Sequence, residues 1–285
     1  MPRIHPSRYA GEWYPEDRPE LEHLLREAFS RSERRTGPVQ CQGDFAFIVP
    51  HAAPQYSGTV AAAAYRRIAQ LKPASIVVLG FSHSPAHAGI LIPEADAYRT
   101  PLGDIAIAGE ERDQLLREEP FAVGDPADHS VEIQLPFLQF AVPAASVLPL
   151  YIGRLSRNET TEAARKLDRL LPPHAVLVAS TDFTHYGLEF GYLPFPLDER
   201  TPQRLHSLDH RLIESIGTLD SNSFFVLLRE TQSTLCGVMA VHLLIEWVHR
   251  NAPTVQQRVL DYQTSGEITG DYGHSVSYAA LAFSR

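Results

Sequence analysis

Three short apolar runs, Phe45–Val49, Ser75–Gly80 and Ala175–Ala179, each end at a loop that carries a histidine. Runs of this length, rich in β-branched and aromatic residues, read as strands buried on both faces. Pro50 ends the first by removing a backbone donor, and His51 follows at once. His83 stands three residues beyond Gly80, and His185 closes the segment Ser180-Thr-Asp182-Phe-Thr-His185. If the three strands are parallel, the three loops share one edge of the sheet, where open α/β sheets bind ligands.

The remaining pattern is helix alternating with strand. Asp17–Arg35 places Leu21, Leu24, Leu25, Ala28 and Phe29 on one face, and Gly37-Pro38 ends it. A helix is predicted over Thr59–Leu71, opened by Ser57-Gly58, and others over 110–118, from Ser130 as N-cap, over 158–171 and through 201–251. Further strands are predicted over 146–152, 258–264 and 276–283, with shorter ones within 88–108 and a polar, proline-rich excursion over 188–202. The pattern predicts α/β architecture with a mostly parallel or mixed sheet, as one domain over residues 1–285. Strand order is not set by the pattern.

Composition narrows the function. A net charge of -9 argues against nucleic acid and anionic membranes as partners. No apolar run is long enough to span a bilayer, and the N-terminus lacks a signal-peptide pattern, so a cytoplasmic protein with two reduced cysteines, Cys41 and Cys236, is expected. Neither a Gly-x-Ser-x-Gly elbow nor a glycine-rich phosphate loop is present.

Histidine serves both as a metal ligand and as a general base near neutral pH. His51, His83 and His185 are therefore the first candidates, with Asp182, His129 and Glu132 able to join them. Cys236 precedes Gly237 near a predicted helix start, where partial positive charge would favour thiolate. Trp13 and Tyr14 either anchor the N-terminus on the core or line a pocket.

Ten blocks in order carry a family resemblance. They are Ala10-Gly-x-Trp-Tyr, Pro50-His-Ala, Tyr56-x-Gly58, Gly80-x-Ser-His83, Tyr98-Arg-Thr-Pro-Leu102, His129-Ser-x-Glu132, Leu135-Pro136, Asp182-Phe-x-His185, Cys236-Gly237 and Ser275-Val-Ser-Tyr-Ala279. The chain resembles the Memo-like family, whose prokaryotic members are called AmmeMemoRadiSam system protein B. The resemblance implies an α/β/α sandwich of the LigB extradiol dioxygenase type. It also implies a metal site of His51, His83 and Cys236, with His185 and Asp182 as acid/base. His129, Glu132, Tyr56 and Trp13 would then support the site or line its pocket.

Two imidazoles and a thiolate suit Fe(II) or copper, with zinc also acceptable. The implied activity is redox or oxygenase-type chemistry on a small molecule, alongside a radical-SAM enzyme and an Amme-domain protein. A binding or scaffold protein that keeps the fold, with a small molecule or peptide in its cleft, is the alternative. A hydrolase with Cys236 as nucleophile and His185 as base is a third reading. The chain departs from the family pattern at Ala53-Pro54, expected to stiffen the loop after His51, at Ser84 in place of a second histidine, and at Val238-Met239-Ala240.

Overall fold

In a computed structural model describing residues 2–41, 43–83, 86–252 and 254–285, the elements follow in this order. The chain begins β1 (Ile4–His5), α1 (Arg18–Thr36), β2 (Asp44–Val49), α2 (Pro54–Leu71), β3 (Ser75–Gly80), β4 (Ile90–Ile92), β5 (Ala97–Thr100) and β6 (Gly103–Ala106). The middle holds α3 (Gly109–Leu115), β7 (Phe121–Val123), α4 (His129–Glu132), α5 (Gln134–Ala141), β8 (Ser146–Ile152), α6 (Arg157–Leu170) and β9 (Val176–Ser180). It ends with β10 (His185–Gly187), α7 (Thr201–Gly217), α8 (Ser221–Thr231), α9 (Val238–Asn251), β11 (Gln256–Thr264), α10 (Ser265–Thr269) and β12 (His274–Ser284).

The main sheet runs β10-β12-β2-β9-β3-β8-β4-β7, with β11 on the other edge of β12. Its centre is parallel: β9 lies between β2 and β3, parallel to both, and β8 continues the parallel set beyond β3. Antiparallel β12 and β4 flank this centre, so the sheet is mixed. A second, small sheet has the order β1-β5-β6.

Alternation along the central strands feeds two cores. Ala46, Ile48, Val77, Leu79, Leu177 and Ala179 face one core, shared with Leu167 of α6 and Leu244 of α9. Phe47, Val49, Ile76, Val78, Val176 and Val178 face the other, shared with Leu25 of α1, Ile68 of α2 and Phe137 of α5. Both faces are covered, which is why these strands read as unbroken apolar runs. The result is the expected three-layer α/β/α sandwich.

Local signals explain the helix boundaries. Asp17 caps α1 by accepting from the Glu20 N–H at 3.0 Å. Ser156 and Glu159 form a capping box on α6. Helix α2 corrects one expectation: it starts at Pro54, not near Thr59. Proline at the first helical position has its ring angle already set and loses no needed donor, so Pro54 opens the helix where a stiffened loop is expected. A second correction concerns α4, whose cap is Asp128, accepting from the Ser130 N–H at 2.8 Å, and not Ser130 itself. Ser84 lies outside the described residues. Among the described residues no helix is long and apolar enough to cross a membrane.

Candidate metal centre

Because β2, β9 and β3 are parallel neighbours, their carboxyl ends set His51, Asp182 and His83 along one edge. Helix α4 adds His129 from above β3. The approach is close: a Cβ on Gly80 would lie 2.6 Å from Val131 Cγ2 and 2.7 Å from Ser130 Oγ. Only glycine lets α4 settle there, where Ser130 also accepts from the Phe81 N–H and donates to the Phe81 carbonyl.

His51, His83 and His129 offer nitrogens that all lie within 4.8 Å of one another. The His83 and His129 rings stack at 4.3 Å between centroids, and His51 stands edge-on to both at 5.4 and 5.2 Å. His51 is buried, His129 nearly so, and the His83 side chain, 36% exposed, opens the group to solvent.

Hydrogen bonds set the tautomers of two rings. Ser180 Oγ donates its single proton to the Ser130 carbonyl at 2.5 Å, so it can only accept from His51 Nδ1 at 3.1 Å. His51 Nε2 is then the bare nitrogen, and it is buried without a partner. Gln134 locks this arrangement, donating to Ser180 Oγ and to the Pro50 carbonyl, both at 2.9 Å, while accepting from Tyr65. His83 Nδ1 donates to the Asp128 carboxylate at 2.9 Å, which likewise leaves Nε2 free. A histidine held from behind by a carboxylate or hydroxyl is the usual setting of a metal ligand.

The electrostatics agree. Burial, reinforced by repulsion from His83, lowers His51 to about 3. Burial with repulsion from His51 and His83 lowers His129 to about 3 as well. Both rings are therefore neutral near pH 7, the form that binds metal. Burial alone would raise the Asp128 carboxyl, but the hydrogen bonds from His83 overcome it and hold the group well below its usual range.

Asp182 acts on the backbone of the same edge. Its Oδ1 accepts from the His51 N–H at 2.8 Å and the Ala52 N–H at 3.3 Å, and its Oδ2 lies 4.0 Å from His51 Nε2. Burial raises this carboxyl, opposed by the nearby His185. His185 holds its Nδ1–H on the Phe183 and Thr234 carbonyls, at 3.1 and 3.2 Å, and turns Nε2 to Cys236 Sγ at 3.4 Å.

The resemblance implies His51, His83 and Cys236 as ligands; the fold brings His51 and His83 together with His129 and sets Cys236 Sγ 3.4 Å from His185 Nε2. The expectation of a thiolate is corrected: burial, followed by the charge of Asp182, pushes the Cys236 thiol up. Cys236 precedes the N-cap Gly237 of α9 and gives its own N–H to the Asp182 carbonyl at 3.3 Å, so burial outweighs the helix dipole.

The supporting residues divide. Glu132 is buried away from the imidazoles, accepting from Tyr14 OH at 2.6 Å, Ser7 Oγ at 2.7 Å and the Tyr9 N–H at 2.9 Å. It thereby pins the N-terminal turn that lays Trp13 against His129, with ring centroids 4.0 Å apart. Trp13 both anchors that turn and lines a pocket. With Ala52, Tyr56 and Tyr278 it borders a cleft of about 720 Å³ next to the histidines. Asp128, Ser180 and Gln134 are absent from the sequence reading as site residues. An aspartate before a short helix and a serine ending an apolar strand are their only local signals.

The sequence model of the Memo-like protein family matches residues 5–282. A MEMO1 family protein of Methanopyrus kandleri is 31% identical, over 97% of each chain. One from Aquifex aeolicus is 31% identical over 99% of each, and a memo-1 homolog of Caenorhabditis elegans is 28% identical over 96% of this chain and 81% of its own. An uncharacterised protein of Escherichia coli K12 shares the fold, with a TM-score of 0.53, 14% identity, and coverage of 85% of this chain and 99% of its own.

Proposed function

The chain belongs to the Memo-like family, and we propose that it binds a redox-active metal at the carboxyl edge of β2, β9 and β3 for oxygenase-type chemistry on a small molecule. The observation that carries this reading is the buried, unpartnered Nε2 of His51, in a group where His51, His83 and His129 offer nitrogens within 4.8 Å of one another. Imidazole ligands suit Fe(II), copper or zinc, and three protein ligands leave positions open for another molecule. Such a metal supplies Lewis acidity and, if iron or copper, electron transfer.

The chain's own residues supply the rest. Ser180 and Asp128 orient two of the ligands. Asp182 holds the His51–Ala52 backbone, and His185, whose Nε2 faces the Cys236 thiol at 3.4 Å, is the proton-accepting group of the same edge. The Cys236–His185 pair has the spacing of a nucleophile and its base, but a thiol pushed up by burial is a poor nucleophile. A redox role beside a radical-SAM enzyme and an Amme-domain protein rests on the family resemblance, and co-purification of the three proteins tests it.

X-ray absorption at the metal edge, on anaerobically loaded protein, tests the ligand set. A shell of imidazole nitrogens at about 2.0–2.1 Å supports His129 as the third ligand. A sulfur at about 2.3 Å would replace it with Cys236. Substrate-dependent oxygen uptake by the loaded protein supports catalysis; a loaded protein inert to oxygen across amine, phenol and thiol substrates would favour a binding role.

A further inference from the structure

The cleft bordered by Trp13 and Ala52 has a lining that selects by charge. Its wall is aromatic: Trp13, Tyr56 and Tyr278 border it, and Trp13 is the ring stacked on His129. Its rim carries Glu12, Glu189 and Asp271, all exposed, and among the described residues neither lysine nor arginine lines it. His274 has its Nδ1 3.0 Å from Glu189, so Glu12 and Asp271 are the rim carboxylates left to act on a ligand. An aromatic wall attracts cations through the ring face, and two carboxylates at a concave mouth reinforce that field.

We propose that this cleft takes an organic cation with an apolar body, an amine or quaternary ammonium compound, and excludes its carboxylate counterpart. As the substrate class for the metal centre, this inference rests on the reading above. As a binding preference, it stands on the cleft alone. The apolar body lies against Trp13 and Tyr56, and the charged nitrogen stays at the rim by Glu12 and Asp271. Ala52, which follows His51 directly, and Trp13, whose ring lies on His129, border the same space, so a molecule held there lies beside the edge that carries the histidines.

The probe set is phenethylamine, 2-phenylethanol and phenylacetate, which share a body and differ in charge. The full chain contains two tryptophans, of which Trp247 is buried, so a binding-dependent change in emission reports on Trp13. Phenethylamine is expected to bind at least about tenfold more tightly than phenylacetate, with the alcohol between them. A double variant, Glu12→Gln with Asp271→Asn, should weaken the amine about tenfold and leave the alcohol unchanged. Trp13→Phe should retain amine binding by calorimetry, and Trp13→Ala should lose it.

Equal affinity for phenylacetate, or amine binding indifferent to the double variant, overturns the proposal. Titrations run on protein stripped with chelator and on loaded protein separate the two readings. Amine selectivity without any bound metal keeps this inference and removes the metal centre. Stoichiometric metal without amine selectivity does the reverse.

Discussion

Ser180 has one proton to give, and the direction in which it gives it decides what His51 can do. With that proton on the Ser130 carbonyl, the hydroxyl must accept from His51 Nδ1, which leaves Nε2 bare. Ser180→Ala should therefore weaken metal binding about 10- to 100-fold without removing a ligand. The same change strands His51 Nδ1 and one Gln134 donor in the interior, at a cost of about 1–3 kcal/mol by chemical denaturation. Unchanged affinity in a folded Ser180→Ala protein would break the tautomer argument.

Protonation belongs to the same scale. His51 and His129 are lowered to about 3 in the folded chain, whereas unfolded imidazoles titrate near pH 6.5. Between those values the unfolded state binds more protons, so stability falls as pH falls. Each ring contributes a slope of up to about 1.4 kcal/mol per pH unit in the metal-free protein. Denaturation of metal-free wild type and His129→Asn from pH 7 to 4 checks this, and the variant should show the shallower fall.

At the scale of elements, the position of α4 governs the third imidazole. Gly80→Ala would thrust a methyl group into Val131 and Ser130, forcing α4 off the end of β3 and carrying His129 with it. The expected result is a loss of about 1–3 kcal/mol together with weakened metal binding, although no ligand has been touched. Glu132 acts on a second element, the N-terminal turn. Glu132→Gln cannot accept from Tyr14, Ser7 and two backbone N–H groups at once, so about 1.5–3 kcal/mol should be lost. Trp13 emission should shift to the red as the turn lifts from His129, and unshifted emission would contradict the account.

This scale also shows how far the sequence could be read. The strands carrying His51, His83 and the segment of Asp182 and His185 were legible because burial on both faces leaves unbroken apolar runs bounded by polar loops. Their adjacency was not, since nothing in Val176–Ser180 says that it inserts between β2 and β3, whose paired residues, such as Ala46 opposite Leu177 and Ile76 opposite Val176, stand far earlier in the chain. The start of α2 was misplaced because Pro54 reads equally as a loop breaker and as a first helical residue. His129 was recognisable as a candidate, but its place beside His51 depends on the space left at Gly80. Cys236 was misjudged electrostatically, because a helix start is visible in sequence and the burial that overrides it is not.

At the scale of the molecule, two cores on opposite faces of one sheet hold the edge that bears the site. Phe47 is buried in one core, two residues before β2 ends and four before His51. Phe47→Ala should cost about 3–5 kcal/mol and loosen that edge, whereas changes in the small β1-β5-β6 sheet should spare it. The family match covers residues 5–282, so every residue of the site lies within the matched region.

The most direct measurement is metal content by mass spectrometry on anaerobically purified wild type, His51→Ala and His83→Ala, each shown to be folded by circular dichroism. The account predicts near-stoichiometric iron, copper or zinc in the wild type and its loss in both variants. A wild type that stays empty after exposure to Fe(II), Cu(I) and Zn(II), or variants that retain the metal, would contradict it.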